Sequence, residues 1–210
     1  MSDFHAPTLE DRNWFCQRMQ WSGFRGCEYN FTNTFLWNEA FRQDIIRIGD
    51  FASVRLTDAK GTRYLYPAGR GNVAEAIEAL KRDATELQIP FWLIGLTDEG
   101  RSTLDNLFPG RFSYQENRGM FDYLYLVDRL ADLPGKHLHA KRNHIRRFEE
   151  HYPDWRFEHL TAENLPECRE MDEIWYRQNH SEGDTLSDEA NALRKAFSCF
   201  RELGLEGGLI

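Results

Sequence analysis

Apolar residues recur along this chain at two spacings, one helical and one strand-like. Residues 7–19 carry Leu9, Phe15 and Met19 at helical intervals, and Thr8 with Asp11 makes a helix-start pattern. Residues 30–41 are dense in aromatics, with Phe31, Phe35 and Phe41 on one helical face and Asn30 or Thr32 as the starting residue. Such a cluster reads as core packing. Residues 44–48 and 51–56 then alternate apolar and polar around Gly49 and Asp50, which predicts a hairpin. A third strand, 63–67, leads through a Gly-rich turn into an amphipathic helix whose Val73, Ile77, Leu80, Ala84 and Leu87 share a face, with Asn72 and Glu75 as its capping box. The continuous apolar run 90–96 predicts a strand buried on both faces, so strand, helix and strand form a parallel crossover. A short helix over 98–107 follows, and 112–115 with 121–127 read as an antiparallel pair. Mixed strands around one such crossover define an α/β (α+β) sheet flanked by helices.

The second part of the chain is mostly helical. Leu138, Ile145, Phe148 and Tyr152 fall within one arc of about 80° on a helix that Pro134 and Gly135 precede and Pro153 ends. A strand over 155–159, a helix from Thr161 to about Asn179, a loop over 180–185 and a helix bearing Leu193, Phe197, Phe200 and Leu203 come next. Gly204 closes that helix, and a strand begins at 207–210. This divides the chain into a first domain, 1–132, and the N-terminal part of a second, 133–210, that reads as incomplete.

Charge changes this picture in one place. The 210 residues carry a net charge of −8. Residues 1–135 hold 15 Lys/Arg against 19 Asp/Glu, net −4, and residues 152–210 hold 6 against 13, net −7. Between Lys136 and Arg147 lie five Lys/Arg, three His and no acid. On the helical wheel Lys136, His139, Asn143, Arg146 and Arg147 face away from the apolar arc, Arg142 flanks it and Lys141 falls inside it. A lysine on a packing face must snorkel, pair with a carboxylate or point into a polar cavity. Two readings stand: internal neutralisation, with Lys141 and Arg142 paired to Glu170, Asp172 or Glu173, or binding of an anionic ligand such as phosphate, nucleic acid or a lipid headgroup.

Composition excludes several classes. With 41% hydrophobic and 14% aromatic residues the chain is not disordered. No stretch approaches a membrane span, the first ten residues lack a secretory pattern, and four cysteines without a C-x-x-C pair fit a reducing, cytoplasmic setting. The acidic balance argues against non-specific duplex DNA binding.

Candidate chemistry is sparse. Gly69 and Gly71, between a strand and a helix start, form a candidate phosphate loop, though such glycines also simply begin helices. His137 and His139 lie on different sides of a helix, and His144, on the side of His137, is about 10 Å from it along the axis, so no metal site is expected. There is no G-x-S-x-G, and His180, Glu182 and Asp184 are loop candidates for acid or base. No catalytic residue is assigned.

Four segments carry a resemblance: Asn30-Phe31-Thr32-Asn33-Thr34-Phe35-Leu36-Trp37; Tyr64-Leu65-Tyr66-Pro67-Ala68-Gly69 with Gly71; Phe121-Asp122-Tyr123; and Gly135-Lys136 continuing through Leu138, His139, Lys141-Arg142-Asn143-His144-Ile145 to Arg147-Phe148. With Glu202-Leu203-Gly204-Leu205-Glu206-Gly207-Gly208-Leu209-Ile210 they resemble the phosphatidylglycerol lysyltransferase C-terminal-domain-like family, a bacterial-type group whose soluble stand-alone members are largely domains of unknown function. The resemblance covers nearly the whole chain. It implies a tandem pair of acetyltransferase-like (GNAT) domains and an acyl- or aminoacyl-transferase. The donor would be aminoacyl-tRNA or acyl-CoA, and Lys141, Arg142, Asn143, Arg146 and His139 would lie near the polyanion. The alternative is a non-catalytic module that binds RNA or a lipid headgroup. Tyr66 occupies the position, three residues before the first glycine, where acyl-CoA-binding GNAT domains carry Gln or Arg, which argues against coenzyme A binding by the first half.

Overall fold

The structure, a computed structural model, describes residues 3–179 and 186–210. Helix α1 (Arg12–Ser22) follows a 3-10 turn, Leu9–Asp11. The Asp11 carboxylate accepts the Thr8 N–H and hydroxyl, each at 2.8 Å, and the Trp14 indole N–H at 2.9 Å. This is the reciprocal half of the expected capping box. α2 (Phe31–Leu36) starts at Asn30, whose side chain accepts the Thr32 and Asn33 N–H groups, and α3 (Asn38–Phe41) follows. β1 (Gln43–Ile48) and β2 (Phe51–Asp58) make the hairpin, with Ile48 opposite Phe51 and Gly49 at φ 57°. β3 (Gly61–Leu65) and β4 (Ala68–Gly69) both pair antiparallel to β2. α4 (Val73–Glu86) starts at Asn72, whose side chain accepts the Ala74 N–H, and leads to β5 (Leu93–Ile94), parallel to β3. α5 (Asp98–Leu107) is capped by Thr97.

The five strands form one mixed sheet, β1-β2-β3-β5 with β4 beside β2. Its two faces are sorted by the strand period of two. Leu65, Ala52 and Val54 join Phe15, Met19, Phe31 and Phe35 of α1 and α2 on one side. Tyr66 and Phe51 meet Val73, Ile77 and Leu104 of α4 and α5 on the other, where Tyr64 meets Leu80 and Ala84. Two late helices, α9 (Leu186–Ser198) and α10 (Phe200–Leu203), return to the first side. Leu203 is buried in that cluster, Lys195 donates to the Phe35 carbonyl at 2.8 Å, and Arg12 donates to the Leu203 carbonyl at 3.1 Å. Gly204, at φ 64°, ends α10 as expected.

Three expected strands differ. The run 90–96 is a strand only at Leu93–Ile94 and lies at an edge, pairing with β3 alone among the described strands, so Trp92 stays 53% exposed instead of buried on both faces. Residues 112–115 form no ladder. Phe112 packs against Phe91 and Phe108, and Tyr114 donates to Asp105 at 2.7 Å, so side-chain packing on α4 and α5 replaces strand pairing. Residues 121–126 join no ladder among the described strands, and Val127 begins α6 (Val127–Asp132).

By compactness the chain divides into two units: one through Glu116 together with Trp175–Leu205, the other Asn117–Ile174 with Glu206–Ile210. The second holds α6, α7 (His139–His151), most of α8 (Leu165–Asn179), and a small antiparallel pair, β6 (Glu158–His159) with β7 (Gly208–Leu209). At Gly207 a Cβ would sit 2.6 Å from Leu160 Cδ1 and at Gly208 2.2 Å from the Phe157 ring, so either substitution would require that side chain to shift.

The first unit buries a polar network. Arg55 donates to both oxygens of Asp83 at 3.1 Å and to Asp44 at 2.9 Å, and the Tyr64 hydroxyl donates to Asp83 at 2.6 Å. Burial, then this bond, raises the Tyr64 pKa. Tyr64→Phe removes one bond to a charged acceptor and is expected to cost about 2 kcal/mol. Asp83→Ala leaves the guanidinium partly unpaired and costs about 3 kcal/mol. Urea unfolding of both variants checks the order. A second expectation concerns Asp11. Burial works to raise its pKa, but hydrogen bonds from Thr8, Trp14 and His5 outweigh it and hold the carboxyl below its ordinary 3.8. A depressed folded pKa contributes stability above the unfolded value and loses it as pH falls through the folded one. Asp11→Asn is therefore destabilised by about 1 kcal/mol at pH 6, and thermal melts should show the gap closing below pH 4.

Candidate anion-binding site

The basic stretch forms a 3-10 turn, Lys136–Leu138, followed by α7. Gly135, at φ 89°, and Leu133, at φ 44°, turn the chain into it. Its apolar arc is real: Phe148 contacts Tyr152 and Trp155 at ring distances of 5.2 and 6.0 Å. The arc is only half covered, since Ile145 is 49% and Tyr152 55% exposed. This explains Lys141. It stands on the arc but is exposed, so it needs neither snorkelling nor a carboxylate.

The five expected contacts have different surroundings. Among the described residues Lys141 makes no ion pair. Arg142 donates through Nη1 to the carbonyls of Leu133 and Gly135, the latter at 2.9 Å, and so ties down the turn that precedes the helix. Neither pairs with Glu170, Asp172 or Glu173, so the internally neutralised reading does not hold for them. Asn143 Nδ2 lies 3.4 Å from His139 Nδ1, and Arg146 pairs with Glu150 at 3.3 Å, both groups well exposed. Lys136 and Arg147 were not singled out as site residues, yet both are exposed and without an acidic partner among the described residues. The helical wheel, which turned both away from the apolar arc, was the signal for them.

The order of charges along α7 opposes the helix dipole. Lys141 and Arg142 stand near its N-terminal end, Glu149 and Glu150 near its C-terminal end. Cations at a helix N-terminus cost about 0.3–1 kcal/mol each, and Arg146 preceding Glu150 is the weaker order for an i,i+4 pair. The two carbonyls that Arg142 holds offset part of this cost, whereas Lys141 has no such partner among the described residues. What the arrangement does provide is exposed cations beside the N-terminus of a helix, a setting that favours an anion.

A family model described as "Phosphatidylglycerol lysyltransferase, C-terminal" matches residues 21–210. The chain belongs to this family. A similar solved structure is the crystal structure of a conserved protein of unknown function from Bacteroides thetaiotaomicron VPI-5482. It shares 32% sequence identity with a TM-score of 0.87, over 100% of this chain and 71% of that one. No curated protein matches.

Other expected features of this lysyltransferase-family chain have local explanations. Gly69 pairs with Phe51, and a Cβ there would lie 2.1 Å from the Asp50 carbonyl oxygen, so close backbone approach requires the glycine. Gly71, at φ 101°, turns the chain into Asn72. A cavity of about 270 Å³ in the first unit is lined by Leu36, Glu39, Asp188, Arg194 and Lys195, but its cations are engaged, Lys195 by Phe35 and Arg194 by Asn191. His180, Glu182 and Asp184 lie outside the described residues. No helix among the described residues is long and apolar enough to cross a membrane.

The different engagement of two neighbouring cations is testable. Arg142→Ala unties two carbonyls and is expected to lower local stability around Leu133–Gly135 by about 1–3 kcal/mol. Lys141→Met should change it by less than about 0.5 kcal/mol. Amide hydrogen exchange of residues 133–145 reads both.

Proposed function

We propose that this protein is an acyl- or aminoacyl-transferase of GNAT-like fold, in which the basic helix holds the anionic donor, the acceptor end of an aminoacyl-tRNA. Membership of the lysyltransferase family supports an aminoacyl-transfer chemistry. The observation that carries the site is the exposure of Lys136, Lys141 and Arg147, none of which has an acidic partner among the described residues. Lys141, His139, Asn143 and Arg146 contact the donor's phosphates or sugars in this reading, and Arg142 holds the entering turn and adds its charge. Lys136 and Arg147 extend the same field.

The reaction is nucleophilic substitution at the ester carbonyl. An acceptor amine or hydroxyl attacks the carbonyl carbon, the bond to the ribose oxygen breaks, and that oxygen takes the proton the nucleophile gives up. An amide or a new ester forms. The protein's share is chiefly positioning donor and acceptor, with a general base to move the proton. Acyl-CoA as donor is less favoured, because Tyr66 is 4% exposed, packed against Val73 and Phe24, and points no amide or guanidinium at the Gly69 turn.

We also propose that residues 133–210 are the N-terminal part of a second GNAT-like domain, with α9 and α10 packing back on the first unit. What supports it is apolar surface on this segment: Tyr152, Phe157 and Met171 are each more than half exposed, and β6 with β7 is a two-stranded pair, too small to cover them.

A binding-only module is the second reading, favoured by the same exposed cations. The experiment incubates the protein with radiolabelled lysyl- and alanyl-tRNA, and separately with acetyl-CoA, in the presence of amine and lipid acceptors. Transfer from aminoacyl-tRNA that falls about tenfold or more in Lys141→Met/Arg147→Ala supports the transferase. No turnover, with tRNA binding that weakens steeply as salt rises, selects the module. Neither turnover nor binding removes both.

A further inference from the structure

We propose a second anion site in the first unit, at the tip of the β1–β2 hairpin, that takes a phosphate group presented in water, on a small phosphate ester or on a single-stranded RNA. Three arginines from three elements gather there: Arg18 of α1, Arg47 of β1 and Arg70 of the turn between β4 and α4.

Arg18 is the innermost, 1% exposed. Its Nε and Nη2 donate to the Gly49 carbonyl at 3.3 and 2.9 Å, and its Nη1 donates to the Trp14 carbonyl at 3.0 Å. The rings of Trp14 and Trp21 lie 5.6 and 5.5 Å from its guanidinium carbon. A buried guanidinium is ordinarily balanced by a carboxylate. Here every hydrogen-bond partner is neutral, so the bonds are satisfied and the charge is not.

The two outer arginines add to the surplus. Arg70 lies 3.9 Å over the Trp21 ring and donates through Nε to Asp50 at 3.1 Å. Arg47 is exposed and reaches the Gly49 carbonyl through Nε at 3.5 Å. Among the described residues no acceptor bonds the Nη atoms of Arg47 or Arg70. Three guanidiniums therefore share the single carboxylate of Asp50, in a chain whose net charge is −8. The field is felt at Arg18: burial lowers its pKa, Arg47 and Arg70 lower it further, and Asp50 opposes them.

The chemistry of the corner selects its ligand. Guanidinium forks match phosphate oxygens, and unengaged Nη pairs are the parts that bind them. Arg70 leads into the N-terminus of the 14-residue α4, whose dipole has the same sign. A lipid surface would need exposed apolar side chains to enter it, and the corner shows none: Phe51 is buried and Trp21 is covered by Arg70. This site is independent of α7 and of the transfer reaction.

Isothermal titration of the full chain with sodium pyrophosphate and with an unacylated 12-nucleotide RNA tests it. At low salt the wild type binds at least one probe. Arg47→Ala/Arg70→Ala weakens that binding about 100-fold, about tenfold per arginine, with an unchanged melting temperature. Asp50→Asn, which removes the competing carboxylate, tightens it. If RNA is the ligand, the log–log salt slope of the double variant falls by about 1.4 for two lost phosphate contacts. Lys141→Met/Arg147→Ala keeps its pyrophosphate affinity, which separates this corner from α7. Binding of pyrophosphate supports a small phosphate ester, and binding of RNA alone supports the strand. A wild type that binds neither probe, or a double variant that binds both as the wild type does, overturns the proposal.

Discussion

Arg55 stands opposite Asp44 across the β1–β2 ladder and reaches Asp83 on α4, which in turn takes the Tyr64 hydroxyl from β3. β1, β2 and α4 meet on one guanidinium, and β3 joins them through Asp83. Its side chain is 16% exposed, and that of Asp83 only 7%. At that burial a half-made network costs more than none, because each unpaired group keeps its desolvation penalty. The requirement is therefore collective. A slip of one residue between β1 and β2 would turn Asp44 to the other face and strand the arginine. The tight turn at Gly49 and the crossover of α4 have to be correct together.

The two ways of using charge in this molecule differ. In the network around Arg55, charge is paired and holds strands and helix in register. On α7 Lys141 and Arg147 are left open while Arg142 and Arg146 are engaged, and the N-terminal cations stand in an order the helix dipole opposes. Local rules that are broken without a compensating contact tend to mark function. That contrast, more than the number of basic residues, is what makes α7 the candidate site. The Arg18 corner is intermediate. Its inner guanidinium clamps the hairpin through carbonyls, as a structural residue would, yet it carries a charge that a neutral donor in the same place would not.

Much of the first unit was legible because its signals are local. Asn30 and Asn72 accept helix-start N–H groups where the capping reading puts them. The alternation of 44–48 and 51–56 around Gly49 is the hairpin, and Val73, Ile77, Leu80 and Ala84 are the buried face of α4. The errors came where an apolar run has more than one use. Phe112 and Tyr114 look like a strand but serve as packing for α4 and α5, and the 90–96 run is as apolar at a sheet edge as it would be inside. Periodicity reports that a residue is buried or apolar, not which neighbour covers it.

The mixed sheet with its helices and the one basic helix in an acidic chain could be read from the chain because spacing, capping chemistry and charge order act within a few residues. The family came from motifs that resemble those of known members, not from these local rules. Only the tertiary structure decided that Lys141 is open while Arg142 is tied to two carbonyls. It also decided that α10 joins the core of the first unit through Leu203, that α9 meets α2 through Lys195, and that Arg18, Arg47 and Arg70 gather at Gly49 and Asp50. Those contacts join positions far apart in the chain, and no local pattern distinguishes an arginine that will find a partner from one that will not.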